Sequence, residues 1–123
     1  MVLNKSQILG ANDLKTEVVS VPEWGGDVIV RTLTGTEREQ FENACGDTNR
    51  KATDIRARLC ALSIVDDKGD RVFGEKDIEA LGKKSITALI KVFDAAQKIN
   101  GLTVTDDVVK NLEATPGEDS STD

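Results

Sequence analysis

A chain of 123 residues with 38% hydrophobic and 31% charged residues has the length of one domain and enough apolar mass for a modest core. Aromatic residues make up only 3%, so that core must be built mainly from Val, Ile, Leu and Ala. The net charge of −6 sits at one end: residues 102–123 hold six of the 22 acidic groups and one of the 16 basic groups, leaving 16 acidic and 15 basic groups in residues 1–101. A body so near neutrality lacks the concentrated basic footprint that nucleic-acid binding needs.

The first residues, MVLNKSQILG, have neither the basic start nor the sustained apolar run of a signal peptide, and no apolar segment reaches the ~18 residues of a membrane span. The expectation is a soluble intracellular protein. Within residues 1–14, Ser6 is placed to cap a short helical turn holding Ile8 and Leu9, which Gly10 and Asn12 end; this reads as a loosely attached lead-in.

From Lys15 the pattern becomes β. Val19 and Val21 point one way and Val18 the other, and Pro22 ends the run by removing a backbone donor. Gly25 and Gly26 permit a reversal, and Asp27 to Leu33 returns with Val28 and Val30 on one face and Ile29, Arg31 and Leu33 on the other. Then Thr34 with Glu37, or Thr36 with Glu39, fits the capping-box spacing, opening a helix to about Cys45 with Phe41 and Ala44 inward and Gly46 at its end.

A second helix is expected from about Lys51 to Ile64, with Ile55, Leu59 and Leu62 on one stripe and Arg56 and Arg58 off it. A second, small hairpin follows: Val65, a turn at Asp67-Lys68-Gly69, and Val72-Phe73 returning. The acidic turn is not an EF-hand loop. Counting from Asp66, the third ligand position would be Lys68 and the twelfth Asp77, and the glycine is misplaced. Glu75 to about Leu81 forms a short helix with Ile78 and Leu81 inward, stopped by Gly82. Ser85 then caps the strongest helix, with Ile86, Leu89, Ile90 and Phe93 inward, Lys91, Asp94 and Lys98 outward, and Gly101 as its stop. Beyond it, Thr105 is placed to cap a short helix with Val108, Val109 and Leu112, and the string after Pro116 has no core-forming residue. The fold class is therefore α+β, one domain over residues 1–101 with two hairpins and about four helices, followed by an acidic, flexible tail over 102–123.

Catalytic chemistry is hard to build from these residues. The chain has no histidine, which removes the commonest general base and metal ligand and every histidine-dependent acyl-transfer triad. Neither a GxxxxGK[ST] nor a GxGxxG loop occurs. Cys45 and Cys60 are neither CxxC nor near a histidine and read as small buried hydrophobes in a reducing compartment. We expect no catalytic, cofactor-binding or metal-binding residues.

The run from Val19 to Glu42, VxVPEWGGxVxVRxLTGTERExFE, resembles the tail assembly chaperones of long-tailed bacteriophages, the lambda-type and related siphophage proteins. The likeness continues in the DDKGxxxF segment (Asp66 to Phe73), the helix ending at Lys98-Ile-Asn-Gly101, and the KNLEATPG tail (Lys110 to Gly117). The resemblance implies a non-enzymatic protein of the host bacterial cytoplasm, absent from the finished virion, encoded by a phage or prophage. It would bind the tape measure protein and recruit tail tube subunits, with no nucleic-acid, membrane or cofactor partner. Such families often make a longer form by ribosomal frameshifting, a feature of the gene that no protein sequence displays. The alternative within the same gene cluster is a structural head–tail connector or tail completion protein. Trp24, on the turn, is the sharpest candidate for a partner contact. Arg31 and Arg38 match the family pattern as further candidates, each also placed to pair with Glu17, Glu37 or Glu42.

Overall fold

The computed structural model describes residues 1–102. The helix expected at Thr105–Leu112 and the flexible acidic tail fall on residues 103–123, outside the described residues. Leu102, assigned to that tail, belongs to the body: its amide donates to the Gln97 carbonyl at 2.9 Å and its side chain packs against the core.

The N-terminal helix α1 (Lys5–Gly10) is capped by Asn4 rather than by Ser6. The Asn4 side chain accepts from the Gln7 amide at 2.8 Å while the Gln7 side chain accepts from the Asn4 amide at 2.9 Å, a reciprocal box that satisfies two otherwise unpaired amides. None of its residues is buried, and Ile8 and Leu9 are exposed.

Strands β1 (Thr16–Val21) and β2 (Gly26–Arg31) pair antiparallel as the alternation requires. Val21 and Val30 are fully buried and Val19 and Val28 pack on the core, whereas Val18 is 64% exposed on the opposite face. A 3₁₀ turn, Pro22–Trp24, joins the strands, and Gly25 closes it at φ 80°, a left-handed conformation costly for any residue with a Cβ.

The second hairpin takes a different form from the expected one. Its first arm, β3 (Ile64–Val65), adds to β2 as a third strand, giving the order β1-β2-β3, and its second arm is reduced to a bridge between Val65 and Arg71. The Asp66 carboxylate accepts from the amides of Lys68 and Asp70, which closes the turn.

Helix α2 (Gly35–Cys45) resolves the two capping choices in favour of Thr34 with Glu37, and it buries Phe41 and Ala44. Helix α3 (Ala52–Ser63) departs most from its expected stripe. Every residue from Ala57 to Ser63 is buried, Arg58 included, because α2, α4, α5 and β2 all contact this helix. The main core element is thus α3, although the last helix has the strongest apolar periodicity in the sequence. Small side chains let the neighbours approach: a Cβ on Gly82, the end of α4 (Ile78–Gly82), would lie 3.2 Å from Thr53 Cγ2. Helix α5 (Ile86–Asn100) starts at the Ser85 cap and ends at Gly101 in the left-handed conformation, as expected. Its buried stripe is rotated, however, to Leu89, Val92, Phe93 and Ala96, leaving Ile86 and Ile90 partly in solvent. Asn100 latches this end to the sheet: its Oδ1 accepts from the Leu33 amide at 2.6 Å and its Nδ2 donates to the Ala96 carbonyl at 2.9 Å.

Candidate functional site

The turn that carries Trp24 is held from below. Lys91 of α5 donates to both carboxylate oxygens of Glu23, at 3.2 and 3.3 Å. A backbone hydrogen bond at Glu23, with Lys91 second, holds this carboxyl below the usual carboxylate range. Pinned in this way, the half-buried indole of Trp24 forms one wall of a groove of about 280 Å³, whose other walls are Phe73, Ala80 and Leu81, with Asp77 and Lys84 at the rim. The apolar walls come from three separate segments: the hairpin turn, the end of the acidic turn region, and α4. The indole Nε1–H is buried and has no hydrogen-bond acceptor among the described residues. A buried donor left without a partner costs about 1–3 kcal/mol.

Arg31 and Arg38 do not join Trp24. Arg31 lies at the far end of β2, roughly 17 Å along the strand at its ordinary rise. Its guanidinium donates to Glu37 Oε1 at 2.6 Å and to the Thr32 carbonyl at 3.1 Å, with the Arg31 and Glu37 side chains 12% and 13% exposed. Glu37 also accepts from the Thr34 amide at 2.9 Å, and Arg71 lies 3.9 Å from its other oxygen. Arg31 therefore fixes the sheet against the start of α2 through the same carboxylate that caps the helix. Arg38 pairs with Glu42 one turn along α2 at 3.0 Å, a solvated pair worth about 0–1 kcal/mol.

Sequence periodicity missed Arg58. Its guanidinium donates to Glu75 at 2.8 Å and to Asp54 at 3.2 Å, and these two carboxylates raise its pKa against the opposing effect of burial. It lies beside Arg50 and Arg71 in a polar cavity of about 470 Å³. Asp47, Asp54, Glu75 and Glu37 already engage these three arginines, so the cavity offers paired charge rather than an empty anion site. A depression of about 500 Å³ at the start of α3 is similarly mixed, lined by Lys51 and Lys83 as well as Asp54 and Glu79. Among the described residues, no group of three or more His, Cys, Asp or Glu side chains is arranged to hold a metal ion, and no helix is long and apolar enough to cross a membrane.

The thiols are sequestered. Burial pushes Cys60 up to about 12, and its Sγ lies 3.7 Å from the Leu89 carbonyl; Cys45 is also raised, first by burial and then by Glu42. Since the thiolate is the reactive form, a thiol reagent at pH 8 is expected to label at most Cys45 in the native protein, and Cys60 only on unfolding. Two rapidly titrating thiols without denaturant would contradict this.

No family model matches the chain, and no curated protein matches it either. Among solved structures it is similar to the tail assembly chaperone of bacteriophage HK97, at 18% identity and a TM-score of 0.58, over 76% of this chain and 90% of that one. At that identity the likeness is one of fold: the described body has the α+β architecture of a phage tail assembly chaperone.

Proposed function

We propose that this chain is a non-enzymatic tail assembly chaperone that binds the tape measure protein and recruits tail tube subunits to it in the cytoplasm of the bacterial host. The observation that carries the reading is the shared fold with the HK97 chaperone, which extends over 90% of that protein's chain. The groove beside Trp24 agrees with it in kind. A long, apolar-faced partner helix needs a concave apolar surface on a soluble body, and helix-in-groove recognition supplies affinity through a few aromatic and aliphatic anchors. The partly exposed Ile86 and Ile90 of α5, the helix that pins the Trp24 turn, widen the apolar surface available on the body.

The test is co-expression. The tape measure protein encoded in the same tail gene cluster is expected to move from the insoluble to the soluble fraction when this chain is present and to co-purify with it. A tape measure protein equally insoluble with and without the chain would sink the proposal. Mass spectrometry of purified particles separates the connector alternative, because a chaperone is expected to be missing and a structural component to be present in fixed stoichiometry.

A further inference from the structure

Strand β1 is an edge strand, and its pairing defines which backbone groups are free. The Thr32 amide donates to the Lys15 carbonyl at 2.9 Å, and the register continues as Thr16↔Arg31, Glu17↔Val30 and Val18↔Ile29. Antiparallel geometry therefore turns the amides and carbonyls of Glu17, Val19 and Val21 toward β2, and those of Thr16, Val18 and Ser20 outward to the open edge. Thr16, Val18 and Ser20 are all exposed. Edge strands are usually protected by a proline, a bulge or a covering element, and among the described residues no proline or bulge interrupts Thr16–Val21 and no element covers its outward residues.

The side chains at this edge form an unfinished row. On the face opposite the helices, Val65 pairs with Ile29 and Ile29 with Val18, a continuous cross-strand line of β-branched residues. Val65 is buried, Ile29 is half-buried and Val18 is exposed, so the line runs from cover into solvent and stops at the edge.

We infer that β1 pairs antiparallel with β1 of a second copy about a two-fold axis through Val18, joining two three-stranded sheets into one of six strands. This goes beyond the role proposed above and does not depend on it. The register follows from the residues. With Val18 opposite Val18 of the other copy, Thr16 faces Ser20 and every outward amide and carbonyl of the strand has a partner. The apolar row then runs unbroken as Val65, Ile29 and Val18 to the same three residues of the second copy. Glu17 faces Val19, which avoids like charges. Shifting the register by one residue toward the N-terminus sets Glu17 directly against Glu17 and leaves fewer backbone groups paired, and like charges directly opposite are destabilising. The paired edge is only a six-residue strand, small for an interface, so the dimer is expected to depend on concentration.

Sedimentation equilibrium of the full chain is expected to show reversible dimerisation. Val18→Lys, which places two ammonium groups opposite each other at an exposed site, is expected to raise the dimer dissociation constant by at least about tenfold without loss of helical signal in circular dichroism. A second arm reads the register. In a Cys45→Ser background, Val18→Cys is expected to give a disulfide-linked dimer on mild oxidation, because facing residues of a hydrogen-bonded pair lie about 5.5 Å apart at Cα, within disulfide reach. Glu17→Cys, offset from its counterpart in this register, is expected to cross-link poorly. A wild-type chain monomeric throughout, oligomers indifferent to Val18→Lys, or cross-linking as efficient at 17 as at 18 would each overturn the inference.

Discussion

Replacing Phe41 by alanine is expected to lower the stability of the body by about 3–5 kcal/mol and its melting temperature by on the order of 20 °C, measured by chemical and thermal unfolding. Phe41 is fully buried and is the largest of the completely enclosed side chains in a core composed mostly of aliphatic and small residues. It projects from α2, which packs chiefly against α3. With Ala44 the only other buried residue of α2, no neighbouring side chain on the helix can move in to fill the space. The cost therefore combines lost transfer energy with an uncollapsed cavity. Phe41→Leu, which keeps most of the volume, is expected to cost less than half as much. A loss below about 1 kcal/mol for Phe41→Ala would mean that α2 is attached chiefly through the Arg31–Glu37–Thr34 cluster rather than through its apolar face.

What the sequence made legible was local. The Val18/Val19 alternation, the turn at Gly25, the Thr34 capping box, the Ser85 cap and the Gly101 stop each depend on residues a few positions apart, and each stands where the pattern placed it. Three readings that depended on distant neighbours were displaced. Arg58 was assigned to a polar face because a charged residue off an apolar stripe usually marks solvent. On a helix packed among several elements every residue from Ala57 to Ser63 is enclosed, and Glu75 from seventeen residues away supplies the partner instead. On α5, the apolar residues Ile86, Leu89, Ile90, Val92, Phe93 and Ala96 span more than one face, so the sequence fixes the helix but not its rotation; packing on α3 and the sheet selects the Val92 side. Val65 had a local partner in Val72-Phe73, yet β2 is the longer template and takes it as a third strand. The candidate site divides in the same way. Trp24 could be singled out as the lone tryptophan on a turn, whereas Phe73, Ala80 and Leu81, which make its groove, are assembled only by the tertiary fold.

Substitutions at Trp24 are expected to separate a partner-binding indole from a merely structural one, with the largest functional effect of any single change. If the groove receives the tape measure helix, Trp24→Ala is expected to weaken capture by about 30-fold or more, the loss of roughly 2 kcal/mol typical of an aromatic anchor. The more telling variant is Trp24→Phe. In the free protein the indole Nε1–H is buried with no acceptor among the described residues, so phenylalanine removes an unsatisfied donor along with part of the ring. The two effects oppose, and the stability of the free chain is expected to change by no more than about 1 kcal/mol. In the complex the smaller ring leaves part of the groove wall without contact to the partner, a loss that removing a donor buried in the free protein does not offset. Trp24→Phe is therefore expected to reduce affinity several-fold in a protein as stable as the parent. A Trp24→Ala variant that captures the tape measure protein as well as wild type would remove the groove from consideration. Arg38→Ala provides the contrast, because its pair with Glu42 is solvated and its loss is expected to leave stability within about 1 kcal/mol. Capture lost on Arg38→Ala and retained on Trp24→Ala would move the contact to the exposed face of α2. Arg31 cannot serve in that comparison, since its guanidinium is committed to Glu37 and its removal would disturb the junction between β2 and α2 whatever the partner does.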